Sequence, residues 1–171
     1  MSFNIEQYIR NIKDFPKPGI VFKDITPLLA DASALQNTTK ALLQLAPSRI
    51  DKVVGIEARG FFFGTLLAEH LNAGFVPIRK PGKLPYKTFT ETYALEYGTD
   101  SLSMHTDAIQ PGERVLIHDD VLATGGTAAA VIKLVEKAGG EVVMLNFLIE
   151  LSFLSGREKL KNYKITSLLT Y

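Results

Sequence analysis

Apolar positions along the chain alternate between a spacing of three to four residues and short unbroken runs, and this alternation outlines the elements. Ile5, Tyr8, Ile9 and Ile12 recur at helical spacing and predict a short amphipathic helix at the start. That helix must stop before Phe15-Pro16-Lys17-Pro18-Gly19, because proline lacks the amide a helix needs and glycine resists it. Residues 14–30 then read as an irregular covering segment, followed by a helix over about 34–45 with Ser33 as its N-cap. Lys52-Val53-Val54-Gly55-Ile56 reads as a buried strand, 61–71 as a helix, and Phe75-Val76-Pro77-Ile78 as a second strand. Arg114-Val115-Leu116-Ile117 is a third, followed by a helix over about 126–138 that Gly139-Gly140 terminates. Residues 141–149 form a central strand, 152–160 a last helix, and Lys164-Ile165-Thr166-Ser167-Leu168-Leu169 a final extended segment. Strand and helix in alternation predict an α/β fold: a mostly parallel central sheet flanked by helices on both faces.

Residues 79–105 break this rhythm. Arg79-Lys80-Pro81-Gly82-Lys83-Leu84-Pro85 is too rich in proline, glycine and charge for a helix, while 88–97 and 101–105 alternate like a hairpin joined at Gly98-Thr99-Asp100. A stretch this long between regular elements suits a flexible hairpin lid. No repeat or interdomain linker interrupts the chain. The expected organisation is one domain over 1–171, with a hood at about 1–32, a core at about 33–171 and the lid inside it.

Composition narrows the function. At 171 residues the chain suffices for one domain with a real core. Its net charge of +1 gives no global case for a nucleic acid or an anionic membrane as partner, so any anion binding must be local. The absence of cysteine excludes disulfides and thiolate metal sites. The first residues lack a basic start and an apolar signal core, and no apolar run approaches the roughly 20 residues that span a bilayer. A cytoplasmic protein is expected.

The chemistry concentrates in Val115-Leu116-Ile117-His118-Asp119-Asp120-Val121-Leu122-Ala123-Thr124-Gly125-Gly126-Thr127. Asp119 and Asp120 are ionised acceptors suited to the hydroxyls of a ribose diol. Ala123, Thr124, Gly125, Gly126 and Thr127 form a turn that can aim amides and two hydroxyls at a phosphate, with the positive end of the following helix behind it. Either half alone would be an ordinary solvated strand-to-helix loop; the order of the two points to a sugar phosphate. A second small-residue loop, Gly55-Ile56-Glu57-Ala58-Arg59-Gly60-Phe61, also follows a core strand and carries an arginine suited to a second anion. Arg79, Lys80 and Lys83 put three cations within five residues, an arrangement that is commonly just a solvated face. His118, inside a strand, reads as a core residue without a catalytic role.

The thirteen-residue stretch resembles the signature of the type I phosphoribosyltransferase family, which binds phosphoribosyl pyrophosphate, except at His118, where that family usually has an aliphatic residue. Residues 15–27, Glu57-Ala58-Arg59-Gly60-Phe61, Arg79-Lys80-Pro81-Gly82-Lys83-Leu84-Pro85, Leu95-Glu96-Tyr97-Gly98 and Gly156-Arg157-Glu158-Lys159-Leu160 narrow the resemblance to its adenine-specific branch, nearly end to end. The resemblance implies the type I fold with an N-terminal hood. It also implies purine salvage: adenine plus phosphoribosyl pyrophosphate giving AMP and pyrophosphate, with Mg²⁺, in a homodimer. Phe22 would stack on one face of adenine and Val121 close the other, while main-chain groups of Val21 and Lys23 read its edge; Lys23 stands where the family commonly has arginine. Ala58, Arg59, Arg79, Lys80 and Lys83 would hold pyrophosphate, with Arg59 also catalytic, and a cis peptide is expected at Glu57–Ala58. Glu96 and Tyr97 would close over the reacting centre, Glu96 managing the proton at the purine imidazole edge. Mg²⁺ would ride on substrate oxygens and water, helped by the acid pair, rather than in a dedicated protein cage.

Two alternatives stand beside this reading. One is preference for a 6-oxopurine, which the hood and lid blocks disfavour. The other is a phosphoribosyl pyrophosphate sensor without catalysis, which should carry a nucleic-acid surface. No helix-turn-helix pattern precedes the first core strand, and neither a P-loop nor a dinucleotide fingerprint is present.

Overall fold

The computed structural model describes residues 3–95 and 98–171 and divides into two compact units, 1–41 and 42–171. In the first unit the expected opening helix is only a four-residue 3-10 turn, Ile5–Tyr8. The chain then extends as β1 (Arg10–Lys13), which pairs antiparallel with β2 (Val21–Asp24), so Ile12 faces Phe22 across a hairpin rather than lying on a helix. The segment 14–30 is therefore not irregular throughout: it holds β2 and the short helix α1 (Thr26–Ala30). Asp24 organises the junction. Its carboxylate accepts the Thr26 N–H at 2.9 Å and two hydrogen bonds from Arg10, and these contacts hold its pKa below the usual carboxylate value. The next helix, α2 (Ala32–Leu45), starts earlier than Ser33 would allow, because Asp31 Oδ1 caps the Ala34 N–H at 2.7 Å.

The second unit is built on five parallel strands: β3 (Lys52–Ile56), β4 (Gly74–Ile78), β7 (Arg114–Leu122), β8 (Glu141–Glu150) and β9 (Ile165–Thr170), in the order β4-β3-β7-β8-β9. Helix α3 (Gly60–His70) connects β3 to β4 and α4 (Gly126–Lys137) connects β7 to β8, so the two crossovers leave the sheet centre in opposite directions. Right-handed crossovers then put the helices on opposite faces. Side chains of β7 agree: Val115 and Ile117 join Val131 and Val135 of α4 in the core, whereas the ring of His118 meets Phe63 of α3. The junction between β3 and β7 is the switch point at which ligands of such sheets bind.

Three further boundaries differ from the sequence reading. Strand β7 does not stop at Ile117; β8 continues to pair with it at Asp119, Val121 and Leu122, and the acid pair lies within the strand. The expected helix over 152–160 is two 3-10 segments, Ser152–Leu154 and Gly156–Leu160, separated by Ser155 at φ 53°. The lid segment contains β5 (Thr88–Ala94) paired antiparallel with β6 (Thr99–His105), but β6 is built into the core: Leu102 and Met104 are buried, and Arg79 and Ser103 exchange main-chain hydrogen bonds of 3.0 and 2.7 Å.

His118 is fully buried beside Asn146, its partner on β8. Asn146 Oδ1 can only accept, so the His118 Nδ1–H donates to it at 3.0 Å; the Asn146 amide donates onward to Thr166. Burial lowers the His118 pKa to about 4. Between that value and the ordinary 6.5 the unfolded chain binds the extra proton, so stability is complete above about pH 6.5 and falls as pH drops. The total is roughly 3 kcal/mol. We expect His118→Leu to flatten the fall of Tm between pH 6.5 and 4 relative to the parent; parallel curves would show that His118 does not contribute.

Candidate active site

The two loops singled out in the sequence meet at the switch point. After β7 the chain turns at Ala123, Thr124 and Gly125, and Gly125, at φ 78°, stands as the N-cap of α4 with no side-chain cap. The first amides of a helix have no partner within it, so this terminus is suited to an anion. A cleft opens there, lined by Asp119, Val121, Leu122, Ala123, Thr124, Gly125, Thr127, Ala128 and Phe147.

Gly125 is required by packing as well as by φ, because a Cβ would lie 2.5 Å from the Gly156 carbonyl oxygen. Gly156 is locked in return: its Cβ would lie 2.2 Å from the Ala123 carbonyl oxygen. The segment that follows is tied to the sheet by Arg157, whose Nε and Nη2 donate to the two Glu150 oxygens at 2.6 and 2.7 Å.

The acid pair does not act as two equivalent groups, since adjacent strand residues point to opposite faces. Asp119 is half-buried and lines the cleft, accepting the Asp120 N–H at 2.9 Å. Asp120 is buried and pairs instead with Arg59, Nε to Oδ2 at 3.0 Å. Burial raises both carboxyls above the ordinary range; the charge of Asp120 adds to the rise at Asp119, and Arg59 opposes it at Asp120. The Asp120 pair ties β7 to the loop after β3. There the Glu57–Ala58 peptide is cis, as the sequence reading expects, and α3 begins at Gly60, where a Cβ would lie 2.9 Å from Asp119 Oδ1.

Of the three lid cations, Arg79 and Lys83 converge on Glu57 and Lys80 on Asp100. The Lys80 N–H also donates to Glu57 Oε2 at 2.7 Å. From Asp100 the contacts continue to the phosphate loop: Tyr93 donates its hydroxyl to Asp100 at 3.3 Å and accepts from Thr127 Oγ1 at 3.3 Å. Glu57, Tyr93, Asp100 and Gly156 are thus structural members of the site to which the sequence reading gave no role. Glu57 carried a local signal, an acid inside a motif otherwise suited to anions, and Gly156 lies in one of the blocks that carry the resemblance.

Glu96 and Tyr97 lie outside the described residues. Val21, Phe22 and Lys23 lie on β2 in the first unit, where Phe22 meets Phe15 edge-on at 5.2 Å and Lys23 Nζ donates to Asn11 Oδ1 at 2.8 Å. Ile12, Phe15, Phe22 and Asp24 line an open, mostly apolar surface hollow.

A profile of the phosphoribosyl transferase domain matches residues 25–168. The adenine phosphoribosyltransferase of Christiangramia forsetii is 61% identical over 168 residues, covering 98% of each chain. Among solved structures, the adenine phosphoribosyltransferase of Thermoanaerobacter pseudethanolicus is 54% identical with a TM-score of 0.95 over 98% of each chain. The Saccharomyces cerevisiae enzyme, solved with adenine and an imino-altritol bisphosphate, is 41% identical with a TM-score of 0.91 over 96% of each. The chain belongs to the phosphoribosyl transferase family, a family of glycosyltransferases, and within it to the adenine phosphoribosyltransferases.

Proposed function

We propose that the chain converts adenine and phosphoribosyl pyrophosphate into AMP and pyrophosphate at the cleft beyond β7. The observation that carries this reading is the half-buried Asp119 carboxylate opening into the same cleft as the uncapped start of α4. The 5-phosphate takes the amides of 123–127 and the hydroxyls of Thr124 and Thr127, and Asp119 accepts the ribose hydroxyls. Asp120 contributes through Arg59, holding the loop of Ala58 and Arg59 toward pyrophosphate. Arg79, Lys80 and Lys83 supply further positive charge to the leaving group. Val21, Phe22 and Lys23, together with Val121, are assigned to adenine on the family resemblance; the Saccharomyces cerevisiae relative, solved with adenine, supports that choice of base.

The glycosidic carbon passes through an oxocarbenium-like state, so no protein nucleophile is needed; aligning base, ribose and leaving group and screening charge supply the catalysis. As the purine nitrogen bonds to the ribose carbon and pyrophosphate leaves, the base gives up a proton, which we assign to Glu96 with Tyr97 beside it. Asp119, a carboxylate lining the cleft, would help hold a Mg²⁺ that arrives with the substrate. When bound, Mg²⁺ neutralises charge on the leaving pyrophosphate. We assign a homodimer on the same resemblance and a cytoplasmic setting, which the cysteine-free composition fits; among the described residues no helix is long and apolar enough to cross a membrane.

Steady-state kinetics of Asp119→Asn test the reading. A charged hydrogen bond is worth about 1.5–3 kcal/mol, so kcat/KM for phosphoribosyl pyrophosphate should fall roughly 10- to 100-fold. A variant with unchanged constants would reduce Asp119 to a solvated strand end.

A further inference from the structure

Glu57 extends the sheet beyond its last paired residues in an unusual way. Ile56 faces Ile78 in the parallel register, and the Glu57 N–H donates to the Ile78 carbonyl at 3.0 Å, as a continued ladder requires. The next donor in that ladder is the Lys80 N–H, and its regular acceptor would be the main-chain carbonyl of Glu57. It donates instead to the side chain, Oε2, at 2.7 Å. The other carboxylate oxygen, Oε1, receives Arg79 Nη2 at 3.3 Å and the Lys83 ammonium. One carboxylate therefore holds the main chain and two cationic side chains of a single loop.

Exposed ion pairs contribute little, because water competes for both partners. Glu57 differs: its side chain is 10% exposed and one of its donors is a main-chain amide that cannot swing away. Burial alone would raise its pKa, but the hydrogen bonds from Lys83, Lys80 and Arg79 bring it below the ordinary glutamate value, so it stays ionised at neutral pH.

We propose that Glu57 is a positioning residue for the pyrophosphate end of the substrate: it replaces the missing rung between β3 and the chain after β4, and so fixes where Arg79, Lys80 and Lys83 present their charge. The proposal rests on the reading of these three cations as pyrophosphate ligands. Its physical rival is competition, in which the carboxylate merely neutralises the cations and must be displaced by pyrophosphate. The two predict opposite signs when Glu57 is removed.

The experiment measures KM for phosphoribosyl pyrophosphate and for adenine, kcat, the inhibition constant of pyrophosphate, and AMP affinity by calorimetry. The proteins are the parent, Glu57→Gln and Glu57→Ala. Glutamine keeps the size and an acceptor for the Lys80 N–H but loses the charge; it carries the test should the alanine variant fail to fold. We expect KM for phosphoribosyl pyrophosphate and the pyrophosphate constant to rise together, about tenfold in the glutamine variant and further in alanine. The adenine KM and AMP affinity should stay within about twofold, because neither ligand carries pyrophosphate, whereas kcat should fall as the pyrophosphate constant rises. Tighter pyrophosphate inhibition in either variant would establish competition and overturn the proposal. Unchanged constants would also overturn it, as would a matching loss of AMP affinity, which would mark general disruption. A parent enzyme that turns over adenine yet ignores pyrophosphate would instead overturn the reading of the loop, and the proposal with it.

Discussion

Alanine at Gly156 should nearly abolish use of phosphoribosyl pyrophosphate, although Gly156 lies 29 residues beyond the last residue of the phosphate loop and touches no assigned ligand. Its added Cβ would sit 2.2 Å from the Ala123 carbonyl oxygen, and both sides of that contact are main chain, so no rotamer change relieves it. Gly125 packs back against the Gly156 carbonyl, so a displaced Gly156 also disturbs the N-cap of α4. The Arg157–Glu150 pair, reinforced by Ser167 donating to Glu150 Oε2 at 2.8 Å, resists moving the segment outward. The phosphate loop must yield instead. Overpacking of this kind costs about 1–3 kcal/mol of stability. A loop displaced by about 1 Å costs on the order of a hundredfold in rate. Kinetics with phosphoribosyl pyrophosphate, alongside a melting curve, check the claim; a variant with parental kcat/KM would show that the glycine contact does not set the loop.

What the sequence makes legible follows from how local each signal is. Strands β3 and β4 are short apolar runs and β8 a longer one interrupted by Asn146, because parallel strands with both faces covered are largely apolar, and the runs alone locate them. Strand β7 extends further than its apolar run because β8 pairs with it through Asp119 and beyond, and that partner is not visible at the acids themselves. The opening residues mislead for a related reason. The spacing of Ile5, Tyr8, Ile9 and Ile12 fits a helix, yet β2 offers Ile12 a cross-strand partner in Phe22, and tertiary pairing overrides the local period.

The site shows the same division. The loop 123–127 and Glu57-Ala58-Arg59-Gly60 are contiguous, so their chemistry can be read in place. The splitting of the acid pair, with Asp119 at the cleft and Asp120 on Arg59, depends on which face each residue of β7 presents, and thus on a strand length the sequence understates. Glu57 with Lys83, Tyr93 with Thr127, and Lys80 with Asp100 are contacts between residues well separated in the chain. The first follows from the pairing of β3 with β4 and the other two from the packing of the hairpin against α4 and β4, which no local pattern encodes.

The second large effect concerns the base. Val21 and Lys23 are two residues apart on β2, so their main-chain groups point to the same edge of the strand, as the proposed reading of one purine edge requires. A carbonyl that accepts from the 6-amino group of adenine would face the 6-oxo oxygen of hypoxanthine or guanine and leave two acceptors opposed. Sites built to pair a donor reject analogues that lack it by factors far above tenfold, because the buried polar group is left unmatched. The most direct measurement is pyrophosphate release from phosphoribosyl pyrophosphate and Mg²⁺ with adenine, hypoxanthine and guanine tested side by side on the parent protein. We expect kcat/KM for adenine to exceed that for either 6-oxopurine by roughly a hundredfold or more. Equal release with adenine and hypoxanthine, or no base-dependent release at all, would contradict the account.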